Sequence, residues 1–564
     1  ANAYLNWSPK LGDDHTFKAL AGWNIEKQKY ETLTIKREGF VTASKPSFGL
    51  MNGTTTDPTV GGYIWSYVGA FFRLNYGYKG KYLAEVSGRY DGSSKFPTNS
   101  KWGFFPSASV AWRVSEEPWM KWSEEWLDNF KIRLSAGSMG NGNVDPYSYT
   151  SEMTVATASD IVLGGGLPSY TTVGSTVPVS LTWEKSTTYD LGLDLDFLNN
   201  RLSFSGDYYR RYTTDMYTPS ISLPSVYGTT SPKGNNAELR TTGWELSLTW
   251  RDSFKLGGKP FDYSIKAMVW DNRTVVTKYE NATRSLGTLK GYIQNGGSPS
   301  DFYEGMELGE MWGYTVAGLF RDQADIDSSA THDFTQASDK VTRPGQVKIA
   351  DLDGNGFIDP GNFAVDDHGD LRIIGNQSPR YRYGVNLSAR WNGIGLSVFL
   401  QGVGARDWYP GSDAGMFWGK YGRPFFALIP SIHNYTDDMY SAERNNWDTA
   451  YWPRMTTYQS NGTKNWTRLL EIPNTRYIQS AAYLRVKNIQ LDYSFPKHIC
   501  SAIRLQGLKI YVNAENLFTF TPLHKYAPNF DPEGLSYDSD FASAADGYTY
   551  PILKSVTVGV NITF

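Results

Sequence analysis

The last residues of the chain alternate between apolar side chains and small or polar ones. Every second position is apolar: Val556, Val558, Val560, Ile562 and Phe564. Because successive side chains of a β-strand point to opposite faces, this spacing predicts a strand with one apolar and one polar face. The same pattern recurs at 189–197, 244–250 and 383–391, so the sequence predicts an all-β fold.

The connections between the predicted strands alternate in length. Tight links, such as Asn199-Asn200 and Asn392-Gly393, are interspersed with long polar stretches, such as 277–380 and 404–481. Outer-membrane barrels have short periplasmic turns and long extracellular loops, whereas soluble β-sandwiches, which also alternate, have no reason to segregate loop length. The spacing therefore favours a transmembrane antiparallel β-barrel, and a secreted multi-sandwich adhesin or glycan-binding protein is the alternative.

The strands between these connections can be counted. Fifteen are predicted: 1–8, 15–27, 62–79, 81–91, 103–115, 130–139, 182–197, 201–213, 236–251, 261–276, 381–391, 395–403, 482–494, 507–517 and 553–564. Bacterial single-chain barrels have an even number of strands, and some outer-membrane transporters have about 22. Residues 1–564 are therefore expected to form the C-terminal portion of a larger barrel, with roughly seven strands and the plug upstream. In this topology 277–380 and 404–481 are extracellular loops.

Composition excludes several other classes of protein. The mean hydropathy is −0.44, and the chain lacks the stretches of about 20 apolar residues that membrane-spanning helices need. An aromatic content of 15% argues against disorder, and a net charge of −3 gives no basic footprint for nucleic acid. No GxSxG, P-loop or metalloprotease motif occurs, so we expect no catalytic residues and no enzyme.

Several short motifs together resemble the barrel of SusC/RagA-type TonB-dependent transporters. They are 89–96 (RYDGSSKF), 103–107 (GFFPS), 343–348 (RPGQVK), 351–356 (DLDGNG), 374–379 (IGNQSP), 480–489 (SAAYLRVKNI), 513–518 (NAENLF) and the closing strand that ends in Phe564. They occur in the order that this family shows. Each motif alone is weak, but jointly they are specific.

The resemblance implies a 22-stranded barrel in the outer membrane of Bacteroidetes, in contact with its lipid. Such proteins import nutrients, most often oligosaccharides and sometimes peptides. A SusD-like surface lipoprotein caps the barrel, an N-terminal plug fills it, and the TonB–ExbBD system supplies the energy through that plug. Glycan import is therefore the expected function. A peptide importer of the same family and a passive porin or structural barrel are the alternatives.

The segment 351–359 (DLDGNGFID) matches a calcium-binding loop of the EF-hand type. Its oxygen donors would be Asp351, Asp353, Asn355, the backbone carbonyl of Phe357, and Asp359. A hard cation needs several such oxygens to converge, and a glycine at the sixth position permits the sharp turn. The sequence predicts a structural calcium ion that rigidifies 277–380, and an Asx- and Gly-rich turn without metal is the alternative.

The last ligand of the motif departs from the EF-hand pattern. Position 12 holds Asn362 in place of the bidentate glutamate. The resemblance implies an acid near the end of this motif, and Asp370 is the matching residue after an insertion. Asp366 and Asp367 are its rivals.

The 404–481 loop is rich in aromatic residues. Five of them are candidates to contact a substrate or the partner lipoprotein: Trp408, Trp418, Tyr421, Trp447 and Trp452. Sugar rings lie on aromatic side chains in sites with a few placed polar groups. The alternative is that the loop packs its own aromatic side chains to stay ordered.

Overall fold

The computed structural model describes residues 1–39, 42, 44, 47–56, 58–151, 153–173, 177, 178, 181–219, 233–281, 284, 286, 302–332, 342–410, 414–418, 438–454, 473–535 and 552–564. Among these residues, no helix is both long enough and apolar enough to span a membrane. Most of the regular structure in the described part of the chain is β-strand. The all-β class predicted from alternation is therefore confirmed.

Fifteen strands form one large sheet in which each strand is hydrogen-bonded to the next sheet strand along the chain. They are β1 (Asn2–Trp7), β2 (His15–Thr34), β3 (Thr59–Tyr78), β4 (Tyr82–Ser93), β5 (Trp102–Arg113), β6 (Leu127–Asn141), β7 (Glu184–Phe197), β8 (Leu202–Pro219), β9 (Lys233–Leu256), β10 (Lys259–Lys278), β11 (Arg380–Trp391), β12 (Ile394–Ala405), β13 (Tyr483–Ser494), β14 (Gly507–Phe520) and β15 (Ser555–Thr563). The sheet thus contains a strand at each of the fifteen predicted places.

Several strands extend beyond their predicted ends. Strand β2 was expected to end at Lys27, but its antiparallel pairing with β3 continues to Thr34, which lies opposite Thr59. Residues 28–34 are mostly polar, so alternation does not mark them, and the backbone hydrogen bonds of the ladder carry the pairing instead. Hydrophobic spacing detects the strand, whereas its length depends on pairing.

The sheet has two chemically different faces, which the register of β12 to β15 shows. One row across these four strands is apolar and exposed: Leu396, Leu491, Val512 and Val558. The neighbouring row is polar: Ser397, Gln490, Asn513 and Thr557. Residues directly opposite each other share a face, and adjacent rows point to opposite faces. One face therefore exposes large apolar side chains, and the other carries polar groups.

Smaller elements lie in the long connections. The two-stranded sheets pair Met153–Thr157 with Ser169–Val173, Glu310–Tyr314 with Leu371–Asn376, Val316–Leu319 with Val347–Ile349, Thr331–His332 with Phe357–Ile358, and Asp407–Trp408 with Gln479–Ser480. The described helices are Gln323–Asp327, Gly415–Trp418 and Lys497–Ala502. The described 3-10 helices are Phe48–Leu50, Val114–Glu116, Pro118–Ser123 and Pro522–Lys525.

The chain divides into two compact units. The first comprises Ala1–Glu117, Ile132–Leu191 and Arg210–Leu239, and the second comprises Pro118–Lys131, Gly192–Tyr209 and Arg240–Phe564. A buried cluster in the first unit consists of Phe96, Phe105, Val144, Leu181 and Trp183. The candidate site residues all belong to the second unit.

Candidate functional site

Three carboxylates of the predicted calcium loop lie together. One oxygen from each of Asp351, Asp353 and Asp370 lies within 4.8 Å of the others. Asp351 and Asp353 come from the DLDGNG turn, while Asp370 immediately precedes the strand Leu371–Asn376. The distant acid that the resemblance assigned to this motif is therefore the one that approaches the turn.

The turn itself is shaped by Asp351 and two glycines. The carboxylate of Asp351 accepts hydrogen bonds from the backbone N–H groups of Gly354, at 2.7 Å, and Gly356, at 3.0 Å. Both glycines have positive φ, 77° and 85°. This left-handed backbone conformation favours glycine, because the Cβ of any other residue crowds its own backbone there. The glycines of the motif thus allow the chain to fold around the Asp351 carboxylate.

Asp370 is fully buried and connects the turn to the following strand. Its carboxylate accepts the backbone N–H of Leu352 at 2.6 Å and that of Asp359 at 3.0 Å. Burial raises the pKa of Asp370, and the nearby charges of Asp353 and Asp351 raise it further, although the two backbone N–H groups lower it. A cation among the three carboxylates would remove this electrostatic strain.

The other predicted ligands have different partners in the same loop. The side-chain amide of Asn355 donates to Asp353 at 3.1 Å and to Asp359 at 3.0 Å, and its oxygen accepts the backbone N–H of Phe357 at 2.7 Å. Asp359 also accepts the backbone N–H of Gly361 at 2.7 Å. The carboxylate of Asp359 does not belong to the group of three.

The two rivals of Asp370 lie elsewhere. Asp366 forms an ion pair with Arg284 at 2.9 Å, and Asp367 accepts a hydrogen bond from the side-chain amide of Asn362. Both pairs are exposed. The structure therefore distinguishes Asp370 from Asp366 and Asp367, which the sequence left as alternatives.

His332 is a buried residue of this region that the sequence analysis did not single out. Its Nε2 accepts the backbone N–H of Ile349 at 2.9 Å, so its Nδ1 carries the proton and donates to the carbonyl of Ala330, also at 2.9 Å. Burial lowers the pKa of His332, which fits this neutral form. A lone histidine in a long polar stretch offers no spacing from which this role could be predicted.

Gly345 explains one motif of the resemblance. It lies in 343–348 (RPGQVK), has a φ of 83°, and packs so closely that a Cβ would lie 2.1 Å from the ring of Tyr440. Its carbonyl accepts the backbone N–H of Arg454 at 2.6 Å. This glycine therefore joins the 277–380 and 404–481 loops at a point where no side chain fits.

The aromatic side chains of the 404–481 loop form a core. Trp408, Trp418 and Trp452 are buried, together with Phe417 and Tyr477. Ring centroids lie 4.8 Å apart for Phe417 and Trp418, 5.5 Å for Trp418 and Tyr477, and 5.6 Å for Trp452 and Tyr477. These side chains hold the loop together, which corresponds to the packing alternative rather than to an open aromatic wall.

The two remaining aromatic candidates differ from these three. Trp447 is half-buried, and Tyr421 lies outside the described residues. Among the predicted aromatic residues that the structure describes, Trp447 is therefore the one whose side chain keeps a surface available to another molecule.

An ion-pair network on the polar face of the sheet was not predicted. The guanidinium of Arg485, whose side chain is 2% exposed, contacts Asp531 at 2.6 Å and Glu533 at 2.5 Å. Glu533 also pairs with Lys487 at 3.0 Å and accepts the side-chain amide of Gln401 at 3.0 Å. The network fastens the segment 521–535 to strands β12 and β13.

The same segment reaches the aromatic core. Arg406, which directly follows β12, donates to the carbonyls of Pro532 at 3.2 Å and Leu535 at 2.9 Å. The ring of Phe530 lies 4.9 Å from that of Trp408. Residues 521–535 therefore connect the polar face of the sheet to the core of the 404–481 loop.

A cavity of about 730 Å³ opens on the second unit near the short turns. Its charged lining residues are Arg201, Arg251, Asp252, Asp262, Arg390, Asp492 and Lys509. Asp492 is buried, and one of its oxygens lies 3.2 Å from the ammonium of Lys509. The short-turn end of these strands therefore carries both positively and negatively charged side chains.

Sequence comparisons point to one family. A family model described as "TonB dependent receptor-like, beta-barrel" matches residues 1–346. The TonB-dependent receptor P3 of Formosa agariphila is 27% identical over 570 residues, which cover 100% of this chain and 52% of that protein. The TonB-dependent receptor SusC of Bacteroides thetaiotaomicron is 26% identical over 508 residues, which cover 88% of this chain and 44% of that protein. The chain spans about half the length of the curated relatives it matches.

Solved structures agree with these matches. The solved structure of the RagAB peptide transporter superposes with a TM-score of 0.73 at 18% identity, over 100% of this chain and 55% of that chain. The RagAB peptide importer in its "open-open" state gives a TM-score of 0.71 at 19% identity. At this identity the likeness concerns the fold. Together, the comparisons confirm the resemblance to SusC/RagA-type transporters.

Proposed function

Because the chain belongs to the TonB-dependent receptor-like β-barrel family, we propose that it forms the C-terminal wall of an active importer. The protein resides in the outer membrane. The two-faced sheet is the observation that carries the proposed membrane wall, and membership of the family supports active import. Its apolar rows, such as the one through Leu491, suit contact with lipid, and its polar rows, such as the one through Gln490, suit a watery interior.

The proposed cargo is a nutrient oligomer, and an oligosaccharide is the first candidate. The resemblance to SusC/RagA-type transporters supports this choice. The aromatic core gives it little independent support, because Trp408 and Trp452 are buried. A peptide is the second candidate, because the similar RagAB structures are those of a peptide transporter.

The proposed partners follow from the same family. A SusD-like surface lipoprotein would cap the long loops on the extracellular side. The TonB–ExbBD system would supply energy through a plug domain. Both proposals concern the whole transporter. This chain spans about half the length of its relatives.

Uptake by living cells tests the proposed function. Cells lacking the gene, cells lacking TonB and their parent would be given fluorescent oligosaccharides and, separately, fluorescent peptides. We expect uptake of one class to require both the gene and TonB. Peptide uptake with this dependence would replace the oligosaccharide as cargo. Uptake that needs the gene but not TonB would indicate a passive porin, and uptake indifferent to the gene would refute import altogether.

We further propose that Asp351, Asp353 and Asp370 hold a calcium ion. The donor set fits, because three carboxylates whose oxygens lie within 4.8 Å of one another are ligands that hard divalent cations prefer. Asn355, the carbonyl of Phe357, and Asp359 belong to the same loop and remain proposed ligands. Bound calcium would tie the 351–356 turn to the strand Leu371–Asn376, which is a structural role.

A further inference from the structure

Three tryptophans stand out on residues 114–126, which connect β5 to β6. Trp119 is 58% exposed, Trp122 is 69% exposed and Trp126 is 42% exposed. Large apolar side chains scattered singly on a surface are ordinary, but a contiguous group marks an interaction site. The rings of Trp122 and Trp126 are 5.8 Å apart, so at least these two form a joint surface.

The local geometry separates these tryptophans from the residues that anchor the segment. Residues Pro118–Ser123 form a 3-10 helix, in which side chains three positions apart lie on the same side. Trp119 and Trp122 therefore share one side, while Met120 and Ser123, both buried, share another. The hydroxyl of Ser123 donates to the carbonyl of Met120 at 2.7 Å. The segment is thus fixed to the protein by one side and presents indole rings on the other.

The exposed indoles continue the apolar face of the sheet. Trp126 stacks on Phe197, with ring centroids 6.0 Å apart and an interplanar angle of 8°. Phe197 is the last residue of β7 and lies on the same face as Leu195 and Leu193, because strand residues two apart share a face. In an outer-membrane protein the apolar face of the sheet meets lipid. The tryptophans therefore continue this lipid-facing surface beyond the end of the sheet.

We propose that Trp119 and Trp122 are seated in the lipid interface at the short-turn side of the outer membrane. The indole ring suits the boundary between acyl chains and headgroups, because its ring is apolar and its N–H can bond to wet groups. Lys121, exposed between them, can place its ammonium near lipid phosphates while its stem lies along apolar surface. The segment anchors this end of the barrel wall whatever the cargo is.

Depth-dependent quenching tests the proposal on the full-length protein in phosphatidylethanolamine–phosphatidylglycerol nanodiscs. In a form without other cysteines, including Cys500→Ser, a single cysteine would be introduced as Trp119→Cys, Trp122→Cys or Glu124→Cys and labelled with the fluorophore NBD. Glu124 is the matched control, since it is exposed in the same segment but is not in line with Trp119 and Trp122. Heat-modifiable gel migration would verify that each variant folds, and two tryptophan positions guard against the failure of one.

We expect the labels at 119 and 122 to be quenched by lipids that carry a doxyl group near the headgroup, at least about twofold more strongly than the label at 124. The label at 124 should be quenched preferentially by iodide in solution. Iodide quenching at 119 and 122 equal to that at 124 would overturn the proposal. Protection of 119 and 122 from both quenchers would also overturn it, because it would place the segment against protein rather than lipid.

Discussion

Arg380 holds Asp271 through two parallel hydrogen bonds, from Nε to Oδ1 at 2.7 Å and from Nη2 to Oδ2 at 2.6 Å. Asp271 lies in β10 and Arg380 begins β11, so the pair closes the base of the 277–380 loop. Arg380 also donates to Glu307 at 3.3 Å, and Glu307 pairs with Arg273 at 2.6 Å. A very long loop is thereby fixed where it leaves the sheet.

Replacing Arg380 should loosen that loop. Breaking a buried pair typically costs about 3–5 kcal/mol, and since the Arg380 side chain is 26% exposed we expect Arg380→Ala to cost about 2–3 kcal/mol. Limited proteolysis of the 302–332 and 342–380 segments measures the effect, with faster cleavage in the variant. Arg321→Ala is the control, because its pair with Asp322 is exposed to solvent, where a single ion pair adds little to stability. Equal cleavage in the two variants would contradict the assignment.

Calcium binding should depend on the three clustered acids. We expect isothermal titration of the purified protein to give a dissociation constant on the order of 0.1–1 mM, as in many extracellular calcium modules. Asp351→Asn, Asp353→Asn and Asp370→Asn should each abolish the heat, because each removes a charged ligand. Asp366→Asn should leave it unchanged, since Asp366 pairs with Arg284 instead. Equal heats for all variants would remove the calcium proposal.

The network around Arg485 predicts a large stability effect. Arg485→Met should leave Asp531 and Glu533 partly buried without their main partner, which costs about 3–5 kcal/mol for a buried pair. The apparent unfolding temperature in detergent should fall clearly. Lys487→Met is the comparison, because its side chain is 30% exposed and Glu533 would keep Arg485. If both variants melted alike, the network would not hold the 521–535 segment as described.

Because Trp452 lies in the aromatic core, we expect its replacement to lower the stability of the protein rather than to remove a contact with cargo. Trp452→Ala should destabilise the protein by about 3–5 kcal/mol, the usual range for removing a buried tryptophan. Trp447→Ala should cost far less, because Trp447 is half-buried. Thermal unfolding of the two variants measures the difference. A Trp452 variant with unchanged stability but weakened cargo uptake would instead support the hypothesis that Trp452 contacts the substrate.

Much of the fold was predictable because membrane strands obey a local rule. The alternation at 555–564 marks β15, since one face of a two-faced sheet must be apolar and the other polar. The pairing of residues 28–34 was not predictable, because this stretch is mostly polar and shows no alternation. The backbone ladder and the stacked rings of Tyr30 and Tyr63, 5.1 Å apart, join it to β3. Periodicity reports the environment of the side chains, not the extent of hydrogen bonding.

The candidate site was predictable only in part. The DLDGNG turn could be predicted as a calcium-binding loop because its ligands are close together in the sequence. Asp370 could be predicted as a further ligand because the resemblance implies an acid after the turn. The contacts of Arg485 with Asp531 and Glu533 could not be read, because a pair separated by 46 or 48 residues leaves no spacing pattern. For the tryptophans, composition showed aromatic content, but only packing distinguishes the buried Trp408 from the half-buried Trp447.

The two-faced sheet is tested most directly by placing an arginine at neighbouring positions of β13. Leu491 lies in the apolar row and Gln490 in the polar row. On a lipid-facing position an arginine is destabilising, by an amount that grows toward the middle of the membrane, whereas positions that face a watery interior tolerate it. Heat-modifiable migration should show a reduced folded fraction for Leu491→Arg and a normal one for Gln490→Arg. Equal folding of the two variants, or the reverse order, would contradict the assignment of these faces.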